Sequence, residues 1–199
     1  MPVQARERLL RTAEDLFYAD GIRAVGVERI LSESGVGRAS FYRHFPAKDD
    51  LVVAVLEARD VRWRSWLVER VAAHGGGPLA VFDALAERFA TADFRGCAFI
   101  NTMVESADPQ SAAHAVAARH KAAVRAYVRE LLTADNVAEP DALAGRFLLL
   151  MDGAIVTALR ERTSDAAHQA RDVAEALLAA ARREPAQPSD ARPSSPTEP

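Results

Sequence analysis

Apolar residues recur at intervals of three and four along almost the whole chain, and Pro46, Pro78, Pro109 and Pro140 interrupt that rhythm at near-regular distances. Proline lacks a backbone N–H and its ring clashes with the preceding turn, so each of these four marks a helix boundary. Alternating runs of Val, Ile, Thr or aromatic residues joined by Asn-Gly or Asp-Gly are missing, which removes the signal for strands and hairpins. The pattern predicts an all-α fold. With 199 residues, 49% of them hydrophobic, the chain can bury a sizeable core, and disorder along its whole length is excluded.

Reading the periodicity in order gives a first helix over about 4–19, stopped at Asp20-Gly21, with Ala5, Leu9, Ala13, Leu16 and Phe17 on one stripe. Two short helices follow, over 27–34 and about 38–44, joined by Gly35-Val36-Gly37 and closed by Phe45-Pro46. Two short helices around a glycine turn outline a helix-turn-helix. A long helix then runs from about Lys48 to Gly75-Gly76-Gly77, Pro78 opens another to about Thr91, and residues 94–107 read as a turn leading into a further one. Helices over about 111–132, 141–161 and 165–183 complete the series, with Val116, Ala123, Tyr127 and Leu131 in register on the first of them. Five of the ten prolines fall in the last 15 residues, among Ser, Thr, Asp and Glu, so 184–199 is expected to be a disordered tail. The expected domains are therefore 1–47, 48–183 and the tail.

The net charge of −3 gives no overall nucleic-acid signal, but between residues 35 and 48 Arg38, Arg43 and Lys48 face no acid. The positive charge is local. On a short helix with Phe41 and Phe45 turned inward, Arg38, Ser40, Tyr42 and His44 stand along the outer side. Arginine can contact guanine O6 and N7 bidentately and serine can read a base edge or phosphate, while Tyr, His and Lys suit the backbone.

The stretch from Gly35 to Leu51, with Leu16-Phe17, Gly21, Val27 and Ile30 before it, resembles the tetracycline-repressor (TetR) family of bacterial transcriptional regulators. The resemblance is close over about 4–55 and architectural beyond, with Arg95-Gly96-Cys97 and Met151-Asp152-Gly153-Ala154 also similar to many members. It implies a three-helix DNA-binding domain, an all-α ligand domain that dimerises through its last two long helices, and repression relieved by a small molecule. Carried over, the DNA-binding positions are Gly26, Val27, Gly37, Arg38, Ser40, Tyr42, Arg43, His44 and Lys48. The chain departs from the family at Gly26 and Gly37, where Ser or Thr is common, and at Ala39, where glycine is frequent. Each lost hydroxyl removes a cap or phosphate contact, although glycine leaves the backbone N–H open to phosphate; Arg23 and Arg29 are candidates to compensate.

A second constellation is aromatic. Trp63, Trp66, Phe99, Met103, Phe147 and Met151 are expected to line a cavity for an apolar or aromatic effector, with Asn101, Glu105, His114, Arg59 or Arg62 as polar fixers; plain core is the competing reading for each. Between Phe147 and Leu159 the eighth helix is apolar on nearly every side, so it must be covered on two sides. Gly153, Ala154, Ala158, Ala170, Val173, Ala174 and Leu177 are assigned to a four-helix homodimer interface, against a monomer's central helix as the alternative.

Other classes are disfavoured. No Gly-x-Ser-x-Gly, dinucleotide-binding glycine pattern or His-Glu-x-x-His occurs, and Gly75-Gly76-Gly77-Pro78 lacks the Lys-Ser/Thr of a phosphate loop, so no enzyme is expected. Cys97 has no second cysteine to resolve a sulfenate and reads as a buried thiol. His114 and His120 stand about 240° apart round a helix, so neither a metal nor another cofactor is expected. No membrane segment is expected either, and the early charges Arg6, Glu7 and Arg8 place the protein by expectation in the cytoplasm; 23 Arg against two Lys suggests a GC-rich bacterial genome. The expected function is thus a homodimeric repressor of a palindromic double-stranded DNA operator, released by a small hydrophobic or aromatic ligand. A helical ligand-binding or protein-interaction module with a non-functional helix-turn-helix is the alternative, marked by absence of salt-dependent DNA binding.

Overall fold

The structure, a computed structural model, describes residues 2–106 and 108–183. Among them are nine helices and no strand: α1 Pro2–Asp20, α2 Val27–Ser34, α3 Arg38–His44, α4 Lys48–Ala73, α5 Ala80–Phe89, α6 Ala98–Glu105, α7 Ala112–Ala134, α8 Pro140–Glu161 and α9 Asp165–Arg183. The tail expected over 184–199 lies outside the described residues. Pro78 does not open α5 itself. It sits in a turn, with Ala80 N donating to Gly77 O at 3.1 Å and Phe82 N to Leu79 O at 3.0 Å, and the regular helix begins two residues later.

Two apolar cores account for the packing. The first gathers Leu9, Ala13, Leu16 and Phe17 of α1, Ile30 of α2, and Phe41 and Phe45 of α3 and its end, and it continues through Leu51, Val52, Val55 and Leu56 of α4. Phe99 of α6 and Val116 and Ala117 of α7 close it from the far side, so the three-helix head has no packing boundary at residue 47. The second core joins Leu67 and Val71 of α4 to Phe82, Leu85 and Phe89 of α5, Val124, Val128 and Leu132 of α7, and the inner faces of α8 and α9. At about 1.5 Å of rise per residue, the 26-residue α4 spans about 39 Å and belongs to both.

Two glycines do work that no other residue does cheaply. Gly35 closes α2 at φ 63° with open space around its Cα, the left-handed conformation that lets α3 turn away from α2. Gly96, at φ 81°, precedes α6, and a Cβ there would sit 3.1 Å from Leu159 Cδ2. The start of α4 is capped from within, Asp50 accepting the Ala47 N–H at 2.8 Å, a carboxylate placed at the positive end of the helix.

α8 is apolar and long enough, by composition alone, to cross a membrane. In the fold it is a core helix with two characters. Leu143, Ala144, Phe147, Met151, Ala154, Ile155 and Ala158 are buried, whereas Leu149, Val156 and Leu159 are exposed. α9 carries the exposed Val173 beside them in sequence character.

Candidate functional site

α3 is anchored by its aromatic side. Phe41 and Phe45 are buried, at 0% and 3% exposure, and the Tyr42 ring stands edge-on to Phe41 with centroids 5.1 Å apart. That leaves Tyr42 and Arg43 exposed, with Ser40 and His44 half-buried at the edges of the same helix. Gly26 and Gly37 are the N-caps of α2 and α3, both extended, and neither helix start receives a side-chain cap. Val27 packs half-buried against the first core. Arg38 is exposed but pairs with Glu28 of α2. Of the proposed compensating bases, Arg29 is tied to Asp20 at 2.7 Å and Glu33 at 2.8 Å, while the exposed Arg23 gives its backbone N–H to Glu105 at 2.9 Å. Lys48, half-buried at the start of α4, donates to Ile22 O and lies 5.8 Å from the Phe17 ring centroid.

A cleft opens between α4, α5, the 94–97 turn, α7 and α8. Its free volume is only about 30 Å³, so it is narrow. Trp63, Phe99 and Met151 line it, together with Arg59 and Cys97. The other three expected lining residues are elsewhere. Trp66 lies beside Trp63 with the rings tilted and their centroids 6.0 Å apart, packed on the second core. Phe147, one turn before Met151, is wholly buried against Phe82 at 5.5 Å. Met103, one turn beyond Phe99, packs against the first core instead. Asn101 and Glu105 border a neighbouring hollow beside α1, and neither His114 nor Arg62 reaches the cleft wall.

The residue that sequence reasoning missed is His120. It is 2% exposed, its ring lies flat on Phe99 at 3.6 Å and 10°, and Trp63 meets it edge-on at 5.0 Å. Its Nδ1 is 2.7 Å from Asp60 Oδ1. Burial pushes the imidazole pKa down to about 4, although the bond to Asp60 opposes that. Burial would raise the Asp60 carboxyl, but hydrogen bonds from Arg64 and His120 outweigh it and hold it below its ordinary value. The signal was present in α7: Val116, His120, Val124, Val128 and Leu132 recur every four residues, and all are buried.

The cleft wall is joined to α1 through Tyr18. Its Oη donates to Gly96 O at 3.0 Å and accepts from Arg95 N at 2.9 Å and Arg88 Nη2 at 3.1 Å. Arg88 grips Asp93 with two donors, at 2.8 and 3.1 Å, and hydrogen bonds from Arg88 and Thr91 hold the Asp93 carboxyl at about 2. Arg59 reaches Glu14 of α1 at 2.9 Å and lies over the Tyr18 ring at 4.2 Å. Among the described residues no cluster of His, Cys, Asp and Glu is suited to hold a metal ion.

The family described as bacterial regulatory proteins, tetR family, matches residues 9–55, the segment that carries the helix-turn-helix. Transcriptional regulator AcuR of Cereibacter sphaeroides is 31% identical over 178 residues, covering 82% of this chain and 80% of AcuR. The chain belongs to the tetR family. As a tetR-family member it is a DNA-binding transcriptional regulator. The similarity extends to HTH-type transcriptional regulator YjdC of Escherichia coli K12, 26% identical over 89% of this chain and 95% of YjdC. It extends also to the crystal structure of SCO4454, a TetR-family transcriptional regulator from Streptomyces coelicolor. That structure has a TM-score of 0.81 and 31% identity, over 90% of this chain and 96% of the other.

For this tetR-family chain the expected dimer residues divide by exposure. Gly153 and Val173 are exposed and Leu177 is half-buried. Ala154, Ala158, Ala170 and Ala174 are 8% exposed or less, buried in the protomer's own second core. A side chain enclosed by its own chain cannot meet a partner, so these four are corrected to internal packing. The outward apolar line of α8 is Leu149, Val156 and Leu159, seven and three residues apart and therefore close to one face. Gly153 lies between them with open space beside it.

Proposed function

We propose that the protein is a homodimeric repressor that holds a palindromic operator with two copies of α3 and leaves it when a small molecule enters the cleft. The observation that carries the reading is the division of α3, whose aromatic side is locked into the first core while Arg38, Tyr42 and Arg43 remain exposed on a segment without a single acid. A helix so held presents a rigid polar row to a major groove, with half-sites about 34 Å apart. Tyr42, Arg43, His44 and the uncapped starts of α2 and α3 take phosphates, and Arg38 and Ser40 read bases. Lys48 joins them only by leaving Ile22.

Leu149, Val156, Leu159 and Val173 supply the exposed apolar surface through which the second copy docks, a four-helix arrangement of α8 and α9 with their partners. Release follows from connectivity. A ligand that widens the narrow cleft displaces Arg59, Arg88 and the 94–97 turn, and each of these touches Glu14 or Tyr18 on α1. The ligand acts because it binds the arrangement unsuited to DNA more tightly.

The test is fluorescence anisotropy of the protein with DNA flanking its own gene, against a scrambled duplex, over a salt series. The expected result is preference for the flanking DNA with a steep loss of affinity as salt rises. Equal or absent binding to both duplexes at low salt refutes the repressor reading.

A further inference from the structure

The cations of the head divide into those that carboxylates hold and those that they leave free. Arg29 lies between Asp20 and Glu33, and Arg38 pairs with Glu28. Arg6, Arg43 and His44 have no carboxylate partner among the described residues. Arg6 belongs to α1, yet its guanidinium carbon stands 5.6 Å from the centroid of the Phe45 ring, at the residue that closes α3. The His44 ring lies 6.4 Å from the same ring, so two helices bring basic groups to one end of α3. The register of α1 aims Arg6 there. It precedes Leu9 by one turn, at the edge of the stripe that Leu9, Ala13, Leu16 and Phe17 turn into the first core. Arg8, equally exposed, stands about 200° farther round the helix and faces away. A guanidinium resting on a ring is held by the cation–π attraction and has less freedom to lose when it binds.

We infer that Arg6 is a DNA contact that α1 adds to the helix-turn-helix, taking a backbone phosphate where the end of α3 meets the wall of the groove. The inference rests on α3 as the reading helix. A helix of seven residues is about 10 Å long, and the major groove is about 12 Å wide. When the N-terminal residues of such a helix read bases, its other end comes to the sugar-phosphate wall. The C-terminus of a helix carries partial negative charge, which disfavours an anion unless cations cover it. Arg43, His44 and Arg6 supply that cover. The guanidinium fork matches a phosphate, and Arg6 spends none of its donors on a carboxylate. A phosphate contact carries no base information, so it serves every sequence alike.

The test is the salt dependence of DNA binding by the full-length protein, read by anisotropy on the DNA flanking its own gene and on a scrambled duplex. The wild type is compared with Arg6→Ala, Arg6→Lys and Arg8→Ala. Each phosphate contact contributes about 0.9 to the slope of log affinity against log salt. Arg6→Ala is therefore expected to flatten the slope by about one per subunit and to weaken both duplexes about tenfold, leaving their ratio unchanged. Arg6→Lys keeps the charge and the slope. Arg8→Ala removes the same charge from the opposite side of α1 and keeps the wild-type slope. A folding defect lowers the active fraction without changing the slope, so it cannot imitate this pattern. A wild-type slope in Arg6→Ala, equal flattening by Arg8→Ala, or a changed ratio between the duplexes in Arg6→Ala would each overturn the inference. If the wild type binds steeply and Arg6→Ala matches it, the Arg6 contact alone is refuted. If the wild type shows no salt-dependent binding, the repressor reading falls and this contact with it.

Discussion

Acidification should destabilise this protein through His120. The imidazole is 2% exposed, and burial lowers its pKa to about 4 from an ordinary 6.5. Asp60 accepts its hydrogen bond, while Lys121 and Arg64, both positive, oppose a proton on the ring. The folded state therefore refuses a proton that the unfolded chain accepts below about pH 6.5. Stability is full above that pH, falls as the pH drops towards 4, and levels off below it. Treating the two pKa values as a linked pair, the loss relative to neutral pH is about 2 kcal/mol at pH 5 and about 3 kcal/mol at pH 4. Urea unfolding followed by circular dichroism, at fixed protein concentration and several pH values, measures it. The comparison is with His120→Leu, which lacks the titrating group, so contributions from other histidines cancel in the difference. Asp60, held below its ordinary value, loses its contribution only at lower pH still. Parallel pH profiles for the wild type and His120→Leu between pH 6.5 and 4.5 would refute the reasoning.

Tyr18→Phe removes one donated and two accepted hydrogen bonds between α1 and the cleft wall; we expect about 1–2 kcal/mol less stability in urea titrations, with a weaker effect of ligand on operator affinity. Tyr42→Ala should weaken binding to all duplexes alike, whereas Arg38→Ala should lose about 1–3 kcal/mol of discrimination at one base step; an unchanged ratio of operator to scrambled affinity for Arg38→Ala would show that it does not read sequence. Val156→Asp puts a charge on the exposed line of α8 and should give monomers in sedimentation velocity, while a dimer of wild-type strength would place the interface elsewhere. Gly35→Ala should lower stability by about 1 kcal/mol from backbone strain alone, because its surroundings are open; thermal or urea unfolding reads this directly.

The boundaries of the head were legible because chemistry punctuates them. Gly35, Gly37 and Pro46 bracket α3, and it occupies residues 38–44 as the sequence predicted. Helix phase was harder. On α7 the expected register of Val116, Ala123, Tyr127 and Leu131 mixes buried and half-buried positions, while the buried row is Val116, His120, Val124, Val128 and Leu132. A histidine in that row reads as polar until its partner Asp60, sixty residues away on α4, is known. The alanines of α8 and α9 failed for a related reason: on helices rich in apolar residues all round, the contrast that marks the inner face is faint. Which alanines are enclosed depends on where α5 docks, and that is a property of the assembled core. Lys48 shows the same limit for charge. Its position in the sequence suits a phosphate contact, but the carbonyl of Ile22 and the ring of Phe17 draw it inward.

The contact between Arg38 and Glu28 makes the proposed reading helix its own competitor. An exposed pair of this kind is worth about 0.2–1 kcal/mol, whereas a bidentate arginine–guanine contact discriminates by about 1–3 kcal/mol. A guanine in the correct place outbids the carboxylate; a base that offers a single bent hydrogen bond does not, and Arg38 stays with Glu28. If Arg38 reads a base as proposed, the intramolecular partner would act as a threshold, silencing the arginine on mismatched sites at little loss on the matched one. Replacing Glu28 with glutamine would lower that threshold, giving a protein that holds more DNA and recognises less of it.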